Sequence, residues 1–266
     1  MQIANSASQW MTIRVGHNAL SFAMPDEKGD VQFSPYEVKS SVSVAANLRE
    51  AFKTNTLLQS AGERVRVLVD SPVLVVPVEL FDKKDIEPSY HYTYPGLSQE
   101  IVTYNVLPDL NAVAVFSIGK DLRLVIDDHF REVRLISAMS PVWRYLHERS
   151  FATTRQKLYG YFHEQRVEVF AYQQNRFRFC NSFDARHAHD ALYFLLYVWK
   201  QLQLRQQDDE LYVVGDLPDQ DSLLTELKKY VKRTYLINPS VDFYRAQVTK
   251  IEGMPFDLQT LFVKGR

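Results

Sequence analysis

Short runs of alternating or wholly apolar residues, cut by glycine and asparagine turns, open the patterned part of the chain. Met11 to Val15, Leu20 to Met24 and Val31 to Val38 read as three strands of a meander, with turns at Gly16-His17-Asn18 and Asp26 to Asp30. The period then changes. Val44, Leu48, Ala51 and Phe52 fall at i, i+4, i+7 and i+8, the stripe of a helix lying on a sheet, with Ser40 or Ser41 as its cap. Arg64 to Asp70 returns to strand and Ser71-Pro72 breaks it. Val73 to Val76 is strand-like, and Pro77 suits the first turn of a helix through Phe81. Asp82 to Gln99 is polar, aromatic and rich in proline, and gives no clear element. Ile101 to Leu107 and Ala112 to Ser117 form a hairpin around Pro108 to Asn111. Lys120 to Phe130 has helical spacing, Val133 to Ile136 is a strand, and Pro141 to Arg149 is a helix beginning near Ser140. The first ten residues carry no pattern and read as a frayed end or an edge strand.

The second half repeats the order of the first. Leu158 to Phe162, Val167 to Tyr172 and Phe177 to Phe183 are strands, the first two joined by the turn His163-Glu164-Gln165-Arg166. Asp184 can cap a helix from about Arg186 to Leu204 whose apolar middle requires burial on more than one side. Leu211 to Val214 is a strand ending in Gly215, Ser222 to Val231 a helix, and Thr234 to Ile237 a last short strand. The offsets match: Leu20 to Val31 spans 11 positions and Val167 to Phe177 spans 10, while Leu20 to Val65 spans 45 and Val167 to Leu211 spans 44. Two meander-helix-strand units point to an internal duplication. The polar stretch Glu148 to Gln156 is the expected boundary, giving domains 1–150 and 151–266.

Composition narrows the function classes. The 31 Lys and Arg balance 32 Asp and Glu, so no net field favours nucleic acid or an acidic membrane surface. The longest apolar run, Ala191 to Trp199, falls far short of the ~20 residues of a membrane span, and no membrane insertion is expected. The N-terminus lacks the basic-then-apolar order of a signal peptide, and the single Cys180 rules out an internal disulfide. A cytoplasmic protein is the simplest expectation. Sixteen Phe, fifteen Tyr and three Trp exceed what a minimal core needs, and the surplus fits either the interior or a partner surface.

The strand-strand-strand-helix-strand-helix order, present twice, is that of the ribonuclease H-like halves of the actin-like ATPase fold. The phrase Leu74-Val75-Val76-Pro77-Val78-Glu79-Leu80-Phe81-Asp82, followed by Asn111-Ala112-Val113-Ala114-Val115-Phe116, goes further. It resembles an uncharacterised family, known mainly from Bacteroidetes as a domain of unknown function, that is grouped with this fold. The resemblance covers nearly the whole chain. It implies an α/β protein of mixed sheets, with two tandem ribonuclease H-like domains and a cleft between them, and it implies no reaction.

Actin-like ATPases hold Mg-ATP in that cleft. Two hairpin turns wrap the phosphates with backbone N–H groups, nearby carboxylates hold Mg²⁺, and a glycine turn faces the adenosine. Laid on that template, the first phosphate turn offers Gly16 and Asn18 but no carboxylate on the preceding strand. The second has no glycine and only Glu164 as an acid, and the adenosine turn keeps Gly215-Asp216 without a second glycine. Asp70, at the end of a first-half strand, is the remaining acid in a plausible position. These six residues are the cofactor-binding candidates, for Mg-ATP if any nucleotide binds, and no catalytic or metal residue is assigned. The bland alternatives are ordinary: Gly16 and Gly215 permit tight turns, Glu164 is a solvated hairpin residue, and Asp70 turns the chain.

Other candidates carry less. His187 and His189 form an H-x-H at a helix start, two positions apart and so on different faces. Cys180 lies in a strand with no motif around it. Lys228, Lys229, Lys232 and Arg233 gather at a helix end, where cations offset the dipole. The leading expectation is a degenerate, non-catalytic member of the fold, without a cofactor, that acts on a protein partner or as a homo-oligomer. The alternative is a divergent ATP-binding protein or ATPase using the inter-domain cleft. A nucleic-acid binder comes third, because the strands show no carboxylate cluster for two metals.

Overall fold

The protein is described by a computed structural model covering residues 10–151 and 154–264. The expectation for residues 1–9, and the middle of the boundary stretch at 152–153, lie outside the described residues. The chain folds into two compact units, one of the residues up to Leu107, Val113–Pro141 and those from Gln247 onward, the other of Pro108–Ala112 and Val142–Ala246.

In the first unit β1 (Met11–Val15), β2 (Leu20–Pro25) and β3 (Val31–Tyr36) form the antiparallel meander. The chain then runs through α1 (Val44–Thr54) and α2 (Thr56–Gln59) into β4 (Arg64–Val69), which lies parallel to β1. β5 (Leu74–Pro77), α3 (Ile86–Thr93), β6 (Ile101–Leu107) and β7 (Ala112–Ile118) follow, the three strands making a separate sheet of order β5-β7-β6. α4 (Lys120–Asp127) leads to β8 (Glu132–Ser137), parallel to β4, and completes a sheet of order β3-β2-β1-β4-β8. α5 (Met139–Ser150) follows and from Val142 belongs to the second unit.

Alternation decides which way each strand faces. Met11, Ile13 and Val15 of β1, with Val65, Val67 and Val69 of β4, turn into one core against Leu48 and Ala51 of α1 and Val125 and Ile126 of α4. Thr12 and Arg14 fall on the opposite face of β1 and are nevertheless buried.

The second unit is built from β9 (Lys157–His163), β10 (Arg166–Gln173), β11 (Arg176–Asp184), α6 (Ala188–Gln201), β12 (Glu210–Gly215), α7 (Gln220–Tyr230), β13 (Arg233–Leu236) and α8 (Pro239–Asp242). Its sheet order, β11-β10-β9-β12-β13, has the same directions as the first: an antiparallel meander, then two strands parallel to the meander's first. α9 (Phe256–Lys264) closes the chain in the first unit.

One face of the second sheet packs Leu158, Val167, Val169, Leu211 and Val213 against Leu195 and Val198 of α6 and Leu223 and Leu227 of α7. The other face is aromatic. Tyr235 stacks on Tyr212 at 5.1 Å between ring centres, Tyr212 on Tyr159 at 5.6 Å, and Tyr159 on Phe170 at 5.6 Å. Tyr172 then meets Phe177 at 5.3 Å, and Phe177 meets Trp143 of α5 at 5.1 Å. Much of the aromatic surplus is therefore interior packing of this sheet.

Local corrections have local causes. α1 is capped by Ser43, whose hydroxyl accepts from Ala46 N at 3.2 Å, and not by Ser40 or Ser41. Asn47 enforces this by accepting from Lys39 N and donating to the Lys39, Val42 and Ser43 carbonyls, which fixes the approach loop. Pro77 ends β5, and the expected helix after it is one 3-10 turn, Val78–Leu80. Asp184 stays paired with Arg166 in the sheet, so His187 takes the N-cap position of α6. Within Asp82 to Gln99, α3 is held by the buried Tyr90, whose hydroxyl donates to Pro72 O at 2.8 Å.

Candidate functional site

In the first unit the chain leaves β1, β4 and β7 beside the starts of α1 and α4. A cavity of about 520 Å³ opens there, lined among others by Gly16, His17, Ser43, Asp70, Ser71, Glu100, Ser117, Lys120 and Asp121. Gly16 N bonds Ala19 O across the β1–β2 turn, and Asp70 N bonds Val15 O, so the two strand ends are tied together. Ser43 caps α1, while α4 starts at Gly119 with no side-chain cap. Hydroxyls and helix-terminal N–H groups thus give this cavity donors for an anionic or strongly polar group.

Two of its acids, Asp70 and Glu100, are committed. Arg14, on the buried polar face of β1, donates Nε to Asp257 Oδ1 and Oδ2 at 3.0 and 2.9 Å, and its Nη2 lies 3.6 Å from Asp70 Oδ2. All three side chains are at most 3% exposed. Ser117 Oγ donates to Glu100 and lies 3.0 Å from the Tyr90 hydroxyl. Burial pushes the Tyr90 phenol up, and the Ser117 bond opposes it.

A magnesium ion needs several free oxygen ligands. The Arg14 guanidinium, shared with Asp257, lies against the one buried carboxylate at the end of β4, and its charge repels a second cation. Asp70 would have to give up its contact with Arg14 to hold a Mg²⁺. Among the described residues no group of three or more His, Cys, Asp or Glu is placed to hold a metal ion.

Gly16 and Asp70 are brought together on this cavity, and Asn18 sits two residues on in the exposed turn. Glu164, Gly215 and Asp216 belong to the second unit, at the end of its sheet where β9 and β12 finish side by side. Glu164 and Gln165 both take positive φ, 45° and 64°, so the hairpin is tight without a glycine. Gly215 has φ 100°, and a Cβ there would lie 2.0 Å from Phe162 O. Asp216 N then bonds the same carbonyl at 2.9 Å. Chain geometry alone requires Gly215.

His187 and His189 flank a second cavity, of about 460 Å³, between the starts of α6 and α7. Cys180 is half-buried in β11, where desolvation, with the Glu168 charge behind it, pushes its thiol well up. Lys228 and Lys229 sit in the last turn of α7. The groups missed from sequence are Arg14, Asp257, Glu100 and Ser117. The available signal was an arginine inside the otherwise apolar strand Met11-Thr12-Ile13-Arg14-Val15, since a buried cation requires a buried acid.

A search of the curated proteins found no match. Among solved structures, a Bacteroides thetaiotaomicron protein with actin-like ATPase fold and unknown function superposes with a TM-score of 0.83 at 28% identity, covering 93% of this chain and 97% of that one. A chain of the PilM-PilN type IV pilus biogenesis complex superposes with a TM-score of 0.56 at 12% identity, covering 96% of this chain and 98% of that one. The fold is the mixed α/β actin-like ATPase fold. Residues 1–234 match the family described as "Protein of unknown function (DUF3822)", and the chain belongs to that family.

Proposed function

We propose that this protein is a non-catalytic member of the actin-like ATPase fold that acts through protein contacts. The observation that carries the reading is the Arg14 guanidinium held between Asp70 and Asp257, which leaves no free carboxylate on that strand end for a metal-bound triphosphate. In the second unit the Glu164 turn lacks glycine, and Gly215 serves the backbone crossing at Phe162. The matched strand orders of the two sheets support an internal duplication behind this frame.

Protein contact draws support from the outer face of α6. Tyr193 and Tyr197, one turn apart, are 62% and 47% exposed and stack on each other at 6.0 Å. Exposed tyrosines held in one geometry suit an interface more than bulk solvent. The partner is an unidentified protein or a second copy of this chain.

The alternative is a divergent ATP-binding protein, and the starts of α1 and α4 on the Gly16 cavity favour it. Calorimetry and thermal unfolding with millimolar Mg-ATP separate the two readings. We expect no heat, no rise in Tm and no phosphate release. A saturable rise in Tm that Asp70→Asn abolishes establishes the ATP-binding alternative, and phosphate release overturns the non-catalytic reading. For the contact itself, sedimentation of the full chain is compared with Tyr193→Ser/Tyr197→Ser. A monomer at every concentration removes the homo-oligomer.

A further inference from the structure

The second unit holds a cavity of about 780 Å³ that no part of the reading above uses. It opens at the start of β9 and the end of β10, the opposite end of the sheet from Glu164 and Gly215. Its floor is the edge of the aromatic face, Tyr159 and Tyr172, and its cations are Arg155, Lys157 and Arg178. No carboxylate is among its lining residues.

Two of those groups are incompletely satisfied. Lys157 is only 5% exposed, yet among the described residues its ammonium makes a single hydrogen bond, to Ser150 O at 2.6 Å. Three N–H groups are available on an ammonium, so two remain to be used. Tyr159 is 1% exposed, and its hydroxyl has no hydrogen-bond partner among the described residues. A buried polar group left this way is rare in a folded protein, and it calls for a water or a ligand.

The surrounding charges make an anion the better occupant. Desolvation lowers the pKa of Lys157, and Arg149 and Arg155 lower it further against the opposing pull of Glu210. Arg155 is paired with Glu210 at 3.3 Å and Arg149 with Asp242 at 2.7 Å. Arg178 spends its donors on neutral acceptors, the Gln156 side chain and Leu202 O. Lys157 and Arg178 therefore carry positive charge with no acid bonded to them. The volume is in the range of small-molecule sites.

We propose that this cavity binds a small carboxylate- or phosphate-bearing molecule, with Lys157 as the charged anchor and the Tyr159 hydroxyl as a second donor. The anion supplies acceptors for the spare Lys157 and Tyr159 hydrogens, and the aromatic floor accepts an apolar or planar remainder. This site shares no lining residue with the Gly16 cavity.

Inorganic phosphate and succinate are the probes, each titrated into the full chain by calorimetry and thermal unfolding against sodium chloride of equal ionic strength. A saturable response to at least one probe is expected, and whichever probe responds names the anion class. Lys157→Met should weaken binding roughly tenfold or more, the loss expected for a charge-assisted hydrogen bond. Tyr159→Phe removes only an unpartnered hydroxyl, so the ligand-free Tm should hold or rise while binding falls several-fold. Arg178→Gln, at the exposed rim, serves if Lys157→Met does not fold. Responses to both probes no larger than the chloride control, or binding that Tyr159→Phe and Arg178→Gln leave unchanged, overturn the proposal.

Discussion

At the scale of single residues, the strongest constraint is the ion cluster of Arg14, Asp70 and Asp257. Asp70 and Gly16 are legible as candidates because acids and glycines next to strand ends are visible in a sequence. Arg14 is not, because a strand arginine is ordinarily solvent-facing, and only the second buried face of β1 makes this one interior. Asp257 was out of reach, since the pairing joins residues 243 positions apart. Replacing Arg14 by Met leaves two buried carboxylates without their cation. Breaking a buried pair from one side typically costs about 3–5 kcal/mol, and urea denaturation of Arg14→Met should show a loss of that size. Asp257→Asn keeps the shape and removes one charge, so its loss should be smaller. A change below about 1 kcal/mol for Arg14→Met means that the cluster is better hydrated than its burial indicates.

At the scale of elements, the parts with a clean period were legible and those held by one anchor were not. The stripe Val44, Leu48, Ala51 and Phe52 identified α1, but its start is set by Asn47 reaching back to the Lys39–Ser43 loop. Asn47→Ala strands several buried backbone groups and should destabilise by about 2–3 kcal/mol, against about 1 kcal/mol for the cap variant Ser43→Ala. Equal losses in thermal unfolding would remove Asn47 from that role. α3 went unread because Tyr90, rather than a repeating stripe, holds it. The aromatic face of the second sheet has its own signature in alkali. Desolvation pushes Tyr212 up to about 12, with the Glu210 charge and hydrogen bond adding to it, and burial pushes Tyr159 and Tyr172 higher still. In the unfolded chain these phenols ionise near the ordinary value of 10, so above that pH the unfolded state binds fewer protons and stability falls. Below pH 10 both states keep the protons, and this contribution to the slope vanishes. Tyr159→Phe with Tyr212→Phe should therefore flatten the decline, and the tyrosinate absorbance that these substitutions remove should rise together with unfolding above pH 10. That difference in tyrosinate absorbance appearing while the fold persists would contradict the burial of this face.

For the whole molecule, two features of the sequence reading meet the structure differently. The offsets between the halves were enough to propose the shared strand order, because meander, helix and parallel strand each leave a local mark. Nothing local marks the residues from Gln247 onward as partners of strands more than two hundred positions earlier. Their membership of the first unit rests on side chains that meet only in the fold: Asp257 on Arg14, and Gln247 accepting from Val31 N and donating to Val31 O. Leu258 is fully buried, and Met254, Phe256 and Leu261 nearly so. Each such side chain contributes about 1.5–3 kcal/mol on burial, so together they rival the 5–15 kcal/mol by which a domain is stable. A chain ending at Ala246 should thus lose stability in the first unit, not in the second unit, which ends at Ala246. Hydrogen exchange on that truncated chain should show β1 and β4 deprotected while β9 and β12 stay protected. Full protection of β1 after the cut would mean that the first unit is held by its own meander and helices, with the returning segment merely resting on it.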